Sequence, residues 1–330
     1  MRKVIVILLV AVVSLFFSCK QEPTIYHNTV SGQVFGTNYT VQFFDKEQID
    51  YSKQYDSLFT AINKSMSTYQ SNSDISKINS GDSTIVVDEH FKKVFQTSKQ
   101  LYTQTNGFFD PTIGDIVNLW RFGPKELGKK PDSVMVDSLM KFVGFDKVTI
   151  ESGLIKKEYS NTFLDFNAIA KGYALDVVAE FLDSKQLNNY LIDIGGEVVA
   201  KGSKPKNSKW KVGIDNPNFD GSQEAQRVIE LTNESMATSG VYRKFKIDEE
   251  GNRYAHIFNT KTGYSSKTNV LSVSVIAPSC MLADGYATAF QAMGIDKVKT
   301  FLLKHTELKV YFIYEEKGKI KTLSLNDFPE

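Results

Sequence analysis

Between residues 30 and 44 the chain reads VSGQVFGTNYTVQFF, with apolar and polar positions alternating on either side of Gly36-Thr37. That is the pattern of a β-hairpin with a tight turn at its middle. The period then becomes helical. Ile49, Tyr55, Leu58, Phe59, Ile62 and Met66 recur at helical intervals across 48–67, and Phe91, Val94 and Phe95 do so across 90–104. The segment 167–186 opens on Asn167 as a cap, carries Ala, Leu and Val on one face, and predicts the longest helix of the chain. CMLADGYATAFQAMG (280–294) predicts another. Strand candidates lie at 147–152, 162–166, 190–200, 210–215, 227–233, 271–277 and 308–316. Strands come in runs with helices inserted between the runs, so the expected class is α+β with mainly antiparallel sheets.

The amino terminus departs from both periods. Arg2 and Lys3 precede an uninterrupted apolar stretch, Val4 to Phe17, laid out as an export signal. It falls short of the roughly 20 apolar residues that span a bilayer. It stops at Phe16-Phe17-Ser18-Cys19, which resembles a bacterial lipobox with Phe where Leu is commoner; an ordinary signal peptide with an incidental Cys19 is the alternative. The expected organisation is a signal peptide (1–18), a lipidated Cys19 with a polar tether (19–31), and one folded region (32–330). The chain would then sit in the bacterial cell envelope, on the exported side, held by acyl chains that contribute about 0.8 kcal/mol per buried methylene. Only Cys19 and Cys280 are present, so a lipidated Cys19 leaves no disulfide. Stability must come from a core, for which 42% hydrophobic and 12% aromatic residues suffice. The net charge, +1, carries no footprint for nucleic acid. Lys201, Lys204, Lys206, Lys209 and Lys211 read as a solvated loop.

Polar motifs punctuate this frame. Asp110 stands before Pro111 and Thr112, where it could cap a helix running to Trp120. Lys171-Gly172 interrupts an apolar helix in which Gly costs about 1 kcal/mol relative to Ala, so something must approach the backbone there. Lys171 could pair with Asp165 or Asp176, or reach an anionic ligand. No phosphate loop and no dinucleotide fingerprint occurs. Gly195-Gly196 allows a tight turn or close ligand contact. ATSGVYRKF (237–245) and AHIFNTKTGYSS (255–266) read as polar, glycine-bearing turns, the second carrying His256 among hydroxyls suited to phosphate oxygens. Asp284 and Thr288 are one helical turn apart on one face. A hard cation such as Mg²⁺ would satisfy both; equally, Asp284 could cap its helix and Thr288 bond back to the previous turn.

Taken in order, FGT (35–37), MSTYQSNSDISKIN (66–79), NGFFDPTIG (106–114), LDFNAIAKGYALD (164–176), DIGGE (193–197), ATSGVYRKF, HIFNTKTG (256–263) and ADGYATAF (283–290) resemble the ApbE family of FAD:protein FMN transferases across roughly residues 32–325. The resemblance implies an ApbE-like fold with an FAD cleft between two intimate lobes. It also implies an enzyme that moves FMN from FAD to a Thr or Ser hydroxyl of an acceptor protein and releases AMP. On that basis the FAD contacts are Gly36, Ser67, Thr68, Tyr69, Asp110, Lys171, Thr238, Ser239 and Gly240. Magnesium, or manganese in its place, is held by Asp284, Thr288 and a backbone oxygen at Ala168. His256, or Asp284, takes the acceptor proton, and Tyr69 helps exclude water. Thr260 stands where the family often has Pro, which is expected to loosen that turn. A metal-dependent FAD pyrophosphatase and a non-catalytic FAD-binding lipoprotein are the competing functions.

Overall fold

The computed structural model describes residues 24–125, 131–220, 222, 224–242, 244–247 and 253–329, so the signal sequence and Cys19 lie outside the described residues. The hairpin forms as its alternation dictates. Strands β1 (Tyr26–Val34) and β2 (Thr37–Asp45) pair with Val34 opposite Thr37. The two-residue loop puts Phe35 at φ 50° and Gly36 at φ 75°, the left-handed pair that matches the twist of a hairpin. Residues 26–31, assigned above to a tether, are thus part of the sheet.

Helices α1 (Ser52–Met66), α2 (Asp74–Asn79), α3 (Glu89–Gln104), α4 (Gly114–Leu119) and α5 (Ser133–Met140) follow, then the ribbon β3 (Val148–Glu151) and β4 (Leu154–Lys157). Next come α6 (Ala170–Ser184), β5 (Tyr190–Ile194), β6 (Glu197–Lys201), the ribbon β7 (Trp210–Asp215) and β8 (Ala225–Leu231), and β9 (Glu234–Gly240). The chain closes with β10 (Phe245–Ile247), β11 (Arg253–Ala255), β12 (Val270–Ala277), α7 (Cys280–Met293), α8 (Ile295–Leu302), β13 (Lys309–Glu316) and β14 (Lys319–Leu325). One eight-stranded sheet, in the order β1-β2-β5-β6-β9-β12-β13-β14, is antiparallel at every pairing.

Both faces of that sheet are covered, and the period of two decides what goes where. On β12, Val273, Val275 and Ala277 enter the main core with α6 and α7, while Ile276 enters a second core with Trp210, Ile229 and Met236 under the β7–β8 ribbon. Tyr190, Ile192 and Ile194 of β5 and Val310 and Phe312 of β13 face the helical side. Tyr311 and Ile313 face the ribbon. Each such side chain, fully buried, stabilises by about 1.5–3 kcal/mol. A third cluster joins Ile116, Leu119 and Phe122 around α4 to Val136 on α5 and to Phe258. It forms a smaller lobe beside the sheet.

Several expectations change. Residues 162–166 form no strand; Phe163 makes an isolated bridge to Ile113, because Asn79 takes both the amide and the carbonyl of Leu164. Asn167 does not cap α6, which starts three residues later at Ala170 behind Ile169; its amide instead donates to Thr68 Oγ1 at 3.1 Å. The 15-residue α6 is also one residue shorter than the 16-residue α3. The ATSG segment lies in β9, between β6 and β12, and not in a turn. The lysine cluster is spent on the surface: Lys201 pairs with Asp183 at 2.7 Å, Lys209 reaches Glu230 at 3.6 Å, and Lys204 lies over Trp210. No described helix is long and apolar enough to cross a membrane.

Candidate active site

The site is built on the crossing of α6 and α7, and Gly172 is what lets them cross. A Cβ at 172 would lie 2.3 Å from the carbonyl oxygen of Cys280 and 2.8 Å from Asp284 Cβ. What approaches the Gly172 backbone is therefore another helix. Gly172 sits in the first turn of α6, where amides have no partner within the helix, and its N–H donates to Asp284 Oδ2 at 2.9 Å. Asp284 consequently does not cap its own helix; Ser279 does, accepting from Leu282 N at 3.3 Å. Asp176 braces the same junction, its two oxygens accepting from Cys280 N at 2.8 Å and Met281 N at 2.9 Å.

Asp176 is thus occupied, and Lys171 pairs neither with it nor with Asp165 but with Glu197 Oε2 at 2.5 Å. Glu197 opens β6 immediately after the Gly195-Gly196 turn, whose φ values of 65° and 103° require glycine. Its position is pinned because Gly195 packs directly against the Thr37 side chain. Burial pushes the Glu197 carboxyl up to about 7 in spite of Lys171, and Asp284 raises it further. Asp284 is raised by burial as well, with Lys171 opposing. Two carboxyl groups thus face one ammonium at the floor of a cleft. Sequence reasoning missed Glu197, although DIGGE marked its neighbourhood.

The hydroxyl groups come from β9 and α7. Thr238 Oγ1 meets Ser274 Oγ across the β9–β12 pair at 2.7 Å. Ser239, on the opposite face, brings its Oγ within 3.3 Å of Thr288 Oγ1. Thr288 therefore faces the cleft from α7 and does not bond back to the preceding turn.

The smaller lobe supplies the other wall. His256 Nδ1 lies 3.0 Å from the Lys244 carbonyl. A carbonyl only accepts, so Nδ1 carries the hydrogen and Nε2 is left as a bare acceptor. Burial lowers the imidazole to about 4, with Lys244 and Lys171 adding to the fall. The ring is neutral at pH 7. Thr260 is buried, and its hydroxyl donates to the Gly107 carbonyl at 2.5 Å, tying the histidine loop to the segment that carries Asp110. Asp110 caps no helix. Its Oδ1 accepts from Thr112 N at 2.8 Å and Thr112 Oγ1 at 2.6 Å, and burial raises it to about 6.

Between the walls lies a cleft of about 1210 Å³, large enough for a dinucleotide. Gly36, Ser67, Tyr69, Asp110, Ala168 and Lys171 line it from one stretch of the chain, and Thr238, Ser239, Gly240, His256, Asp284 and Thr288 from another. Thr68 is set back, buried beneath the hydroxyl-to-Asn167 bond, so it shapes the α1 exit without facing the cavity. Tyr69 is 61% exposed at the rim. Among the described residues no three His, Cys, Asp or Glu side chains gather as a metal cluster.

The sequence and the fold are matched along the length of known proteins. The ApbE family model matches residues 35–312. A Haemophilus influenzae protein named FAD:protein FMN transferase is 33% identical over 335 residues, covering 98% of this chain and 96% of its own. The flavin transferase ApbE of Vibrio cholerae superposes with a TM-score of 0.81 at 31% identity, over 91% of this chain and 97% of that one. The apo form of the flavinyl transferase ApbE of Pseudomonas stutzeri gives a TM-score of 0.81 at 27% identity, over 91% and 95%. With the family model matching most of its length, a relative 33% identical along nearly all of it and the same fold in solved structures, the chain belongs to the ApbE family.

Proposed function

We propose that this protein transfers the FMN half of FAD to a Thr or Ser hydroxyl of an acceptor protein and releases AMP. The observation that carries the reading is the convergence of Lys171, His256, Asp284 and Thr288, from three separate segments, on one dinucleotide-sized cleft. In the reaction the acceptor oxygen bonds to the phosphorus on the FMN side of the pyrophosphate. The bond from that phosphorus to the bridging oxygen breaks, and AMP departs with the bridging oxygen. Such chemistry asks mainly for alignment and for stabilisation of phosphate charge.

Lys171, its ammonium facing the cleft, supplies positive charge to the pyrophosphate. His256, neutral and with Nε2 bare, takes the proton of the acceptor hydroxyl, a role that commonly contributes about 10²- to 10⁴-fold. Tyr69, standing at the rim, limits the entry of water. The residues also suit a divalent cation. Asp284 keeps one carboxylate oxygen clear of the Gly172 bond, Thr288 presents a hydroxyl, and Ala168, whose carbonyl would be the third oxygen, borders the same space. That all-oxygen set would hold magnesium, or manganese, which would neutralise pyrophosphate charge. The sequence before the described residues further supports export and lipid anchoring through Cys19 in a bacterial envelope.

The test is incubation of residues 20–330 with FAD, Mg²⁺ and an acceptor protein, followed by intact mass. A mass gain equal to one FMN, abolished by EDTA, is expected. Free FMN beside an unmodified acceptor would make the protein a pyrophosphatase, and unchanged FAD would make it a carrier.

A further inference from the structure

The DIGGE segment is left without a task by the reaction above, yet it ends in a carboxylate at the floor of the cleft. Glu197 is 5% exposed in its side chain and Lys171 32%, so the ammonium lies between a buried anion and the open cavity. We propose that Glu197 is a positioning residue for Lys171, fastening the ammonium at the point where phosphate charge accumulates as the FAD pyrophosphate is cleaved; this rests on the transferase reading. Three features of the geometry support it.

The first is direction. Lys171 leaves the first turn of α6, and Glu197 meets it from the start of β6, so the two elements fix both ends of a flexible side chain. The second is rigidity. Gly195 lies against Thr37, next to the hairpin turn at Gly36, and the Gly196 amide donates to Asp193 Oδ1 at 3.2 Å, so the loop that delivers Glu197 has little freedom. The third is division of labour. Asp284 has Gly172 N–H for a partner and does not need the lysine for its placement, whereas the Lys171 ammonium makes its bond to Glu197. A lysine held in this way acts without first being ordered, which is the source of catalysis by positioning.

Charge and position make opposite predictions about FAD, and that separates them. Glu197→Gln keeps the shape of the side chain but removes an anion from beneath a polyanionic substrate. FAD binding should be as tight or tighter, while the rate at saturating FAD falls about 10- to 100-fold as Lys171 loses its anchor. In a Lys171→Met background the same substitution should cost nothing further, because residues acting as a unit are not additive. The Lys171→Met/Glu197→Gln protein is neutral at the pair and serves as the folded control.

The second measurement does not use turnover. Acetylation of Lys171 by an N-hydroxysuccinimide ester, read by peptide mass spectrometry, should be slow in the wild type and faster in Glu197→Gln. A Gln variant with a saturated rate within about twofold of wild type, an equal loss in the Lys171→Met background, or unchanged labelling would overturn the proposal. If the wild type transfers no FMN, the functional reading fails on its own, and the labelling rates still decide whether Glu197 holds the lysine.

Discussion

Gly172→Ala is the substitution on which the architecture of the site is most exposed to test. Helix propensity favours Ala by about 1 kcal/mol, so a reading from local preference alone predicts a more stable protein. Packing predicts the reverse. The new methyl carbon would meet the Cys280 carbonyl oxygen at 2.3 Å, its carbon at 2.7 Å and Asp284 Cβ at 2.8 Å. Two of these are backbone atoms in the first turn of α7, held in place by the bonds its amides donate to Asp176, so no side chain can swing aside. Restoring ordinary contact needs α6 and α7 to part by about 1 Å, an overpacking that costs about 1–3 kcal/mol. The separation also stretches the 2.9 Å bond from Gly172 N to Asp284, and hydrogen bonds to charged groups contribute about 1.5–3 kcal/mol. The net is a loss of about 2 kcal/mol after the propensity gain is subtracted. Urea unfolding followed by tryptophan fluorescence should show a lower midpoint with the slope unchanged. Because the displacement moves Asp284 against Lys171, transfer should fall about 10²-fold even where the protein is fully folded. A variant as stable as the wild type and equally active would mean that the crossing of α6 and α7 is not what orders the site.

Other substitutions probe single groups. His256→Ala should lower transfer at saturating FAD by about 10²- to 10⁴-fold, and a wild-type rate would remove the histidine from the chemistry. Since His256 sits at about 4, its protonation should cause no decline in the wild-type rate between pH 8 and 6; a decline that vanished in His256→Ala would contradict the neutral ring. Asp284→Asn keeps an oxygen for Gly172 N–H but loses its charge, so flavinylation should drop to the level seen in EDTA; full activity that still responded to EDTA would place the cation elsewhere. Asp176 is raised by burial to about 6 from 3.8, so the folded state holds its proton more tightly than the unfolded state. The stability this confers is complete below pH 3.8 and is lost as pH rises through 6. Relative to Asp176→Asn, the wild type should lose about 3 kcal/mol between pH 3 and 7; parallel unfolding curves for the two proteins across that range would refute it.

How much of this was legible depends on how local the determinant is. The hairpin was, because alternation marks both strands, although its loop is Phe35-Gly36 and Thr37, expected in the turn, already belongs to β2. So was the shared face of Asp284 and Thr288, since helical spacing alone puts them there. The partner of Lys171 was not: Asp165 and Asp176 are close in sequence, but Asp176 is engaged by the amides of α7, and Glu197 is delivered by a different strand. Thr238 and Ser239 read as turn residues because small hydroxyl side chains favour turns. In the middle of the sheet they are stabilised by hydroxyl partners, Ser274 and Thr288, that no local pattern reveals. The anchoring of Thr260 was not legible for the same reason, its hydroxyl bonding to a carbonyl 153 residues away.

The bond from Gly172 to Asp284 spans 112 residues, and the groups around it arrive from α6, β6, β9 and α7. No continuous piece of the chain contains the cleft, so FAD has nothing to grip in an unfolded or half-folded molecule. A ligand that recognises the native state alone shifts the folding equilibrium toward it, by about 2.7 kcal/mol when present at a hundredfold excess over its dissociation constant. The substrate is therefore also a stabiliser of the protein that consumes it. Where flavin is scarce, more of these molecules will be open to proteases, and the abundance of the enzyme will follow the supply of the compound it distributes.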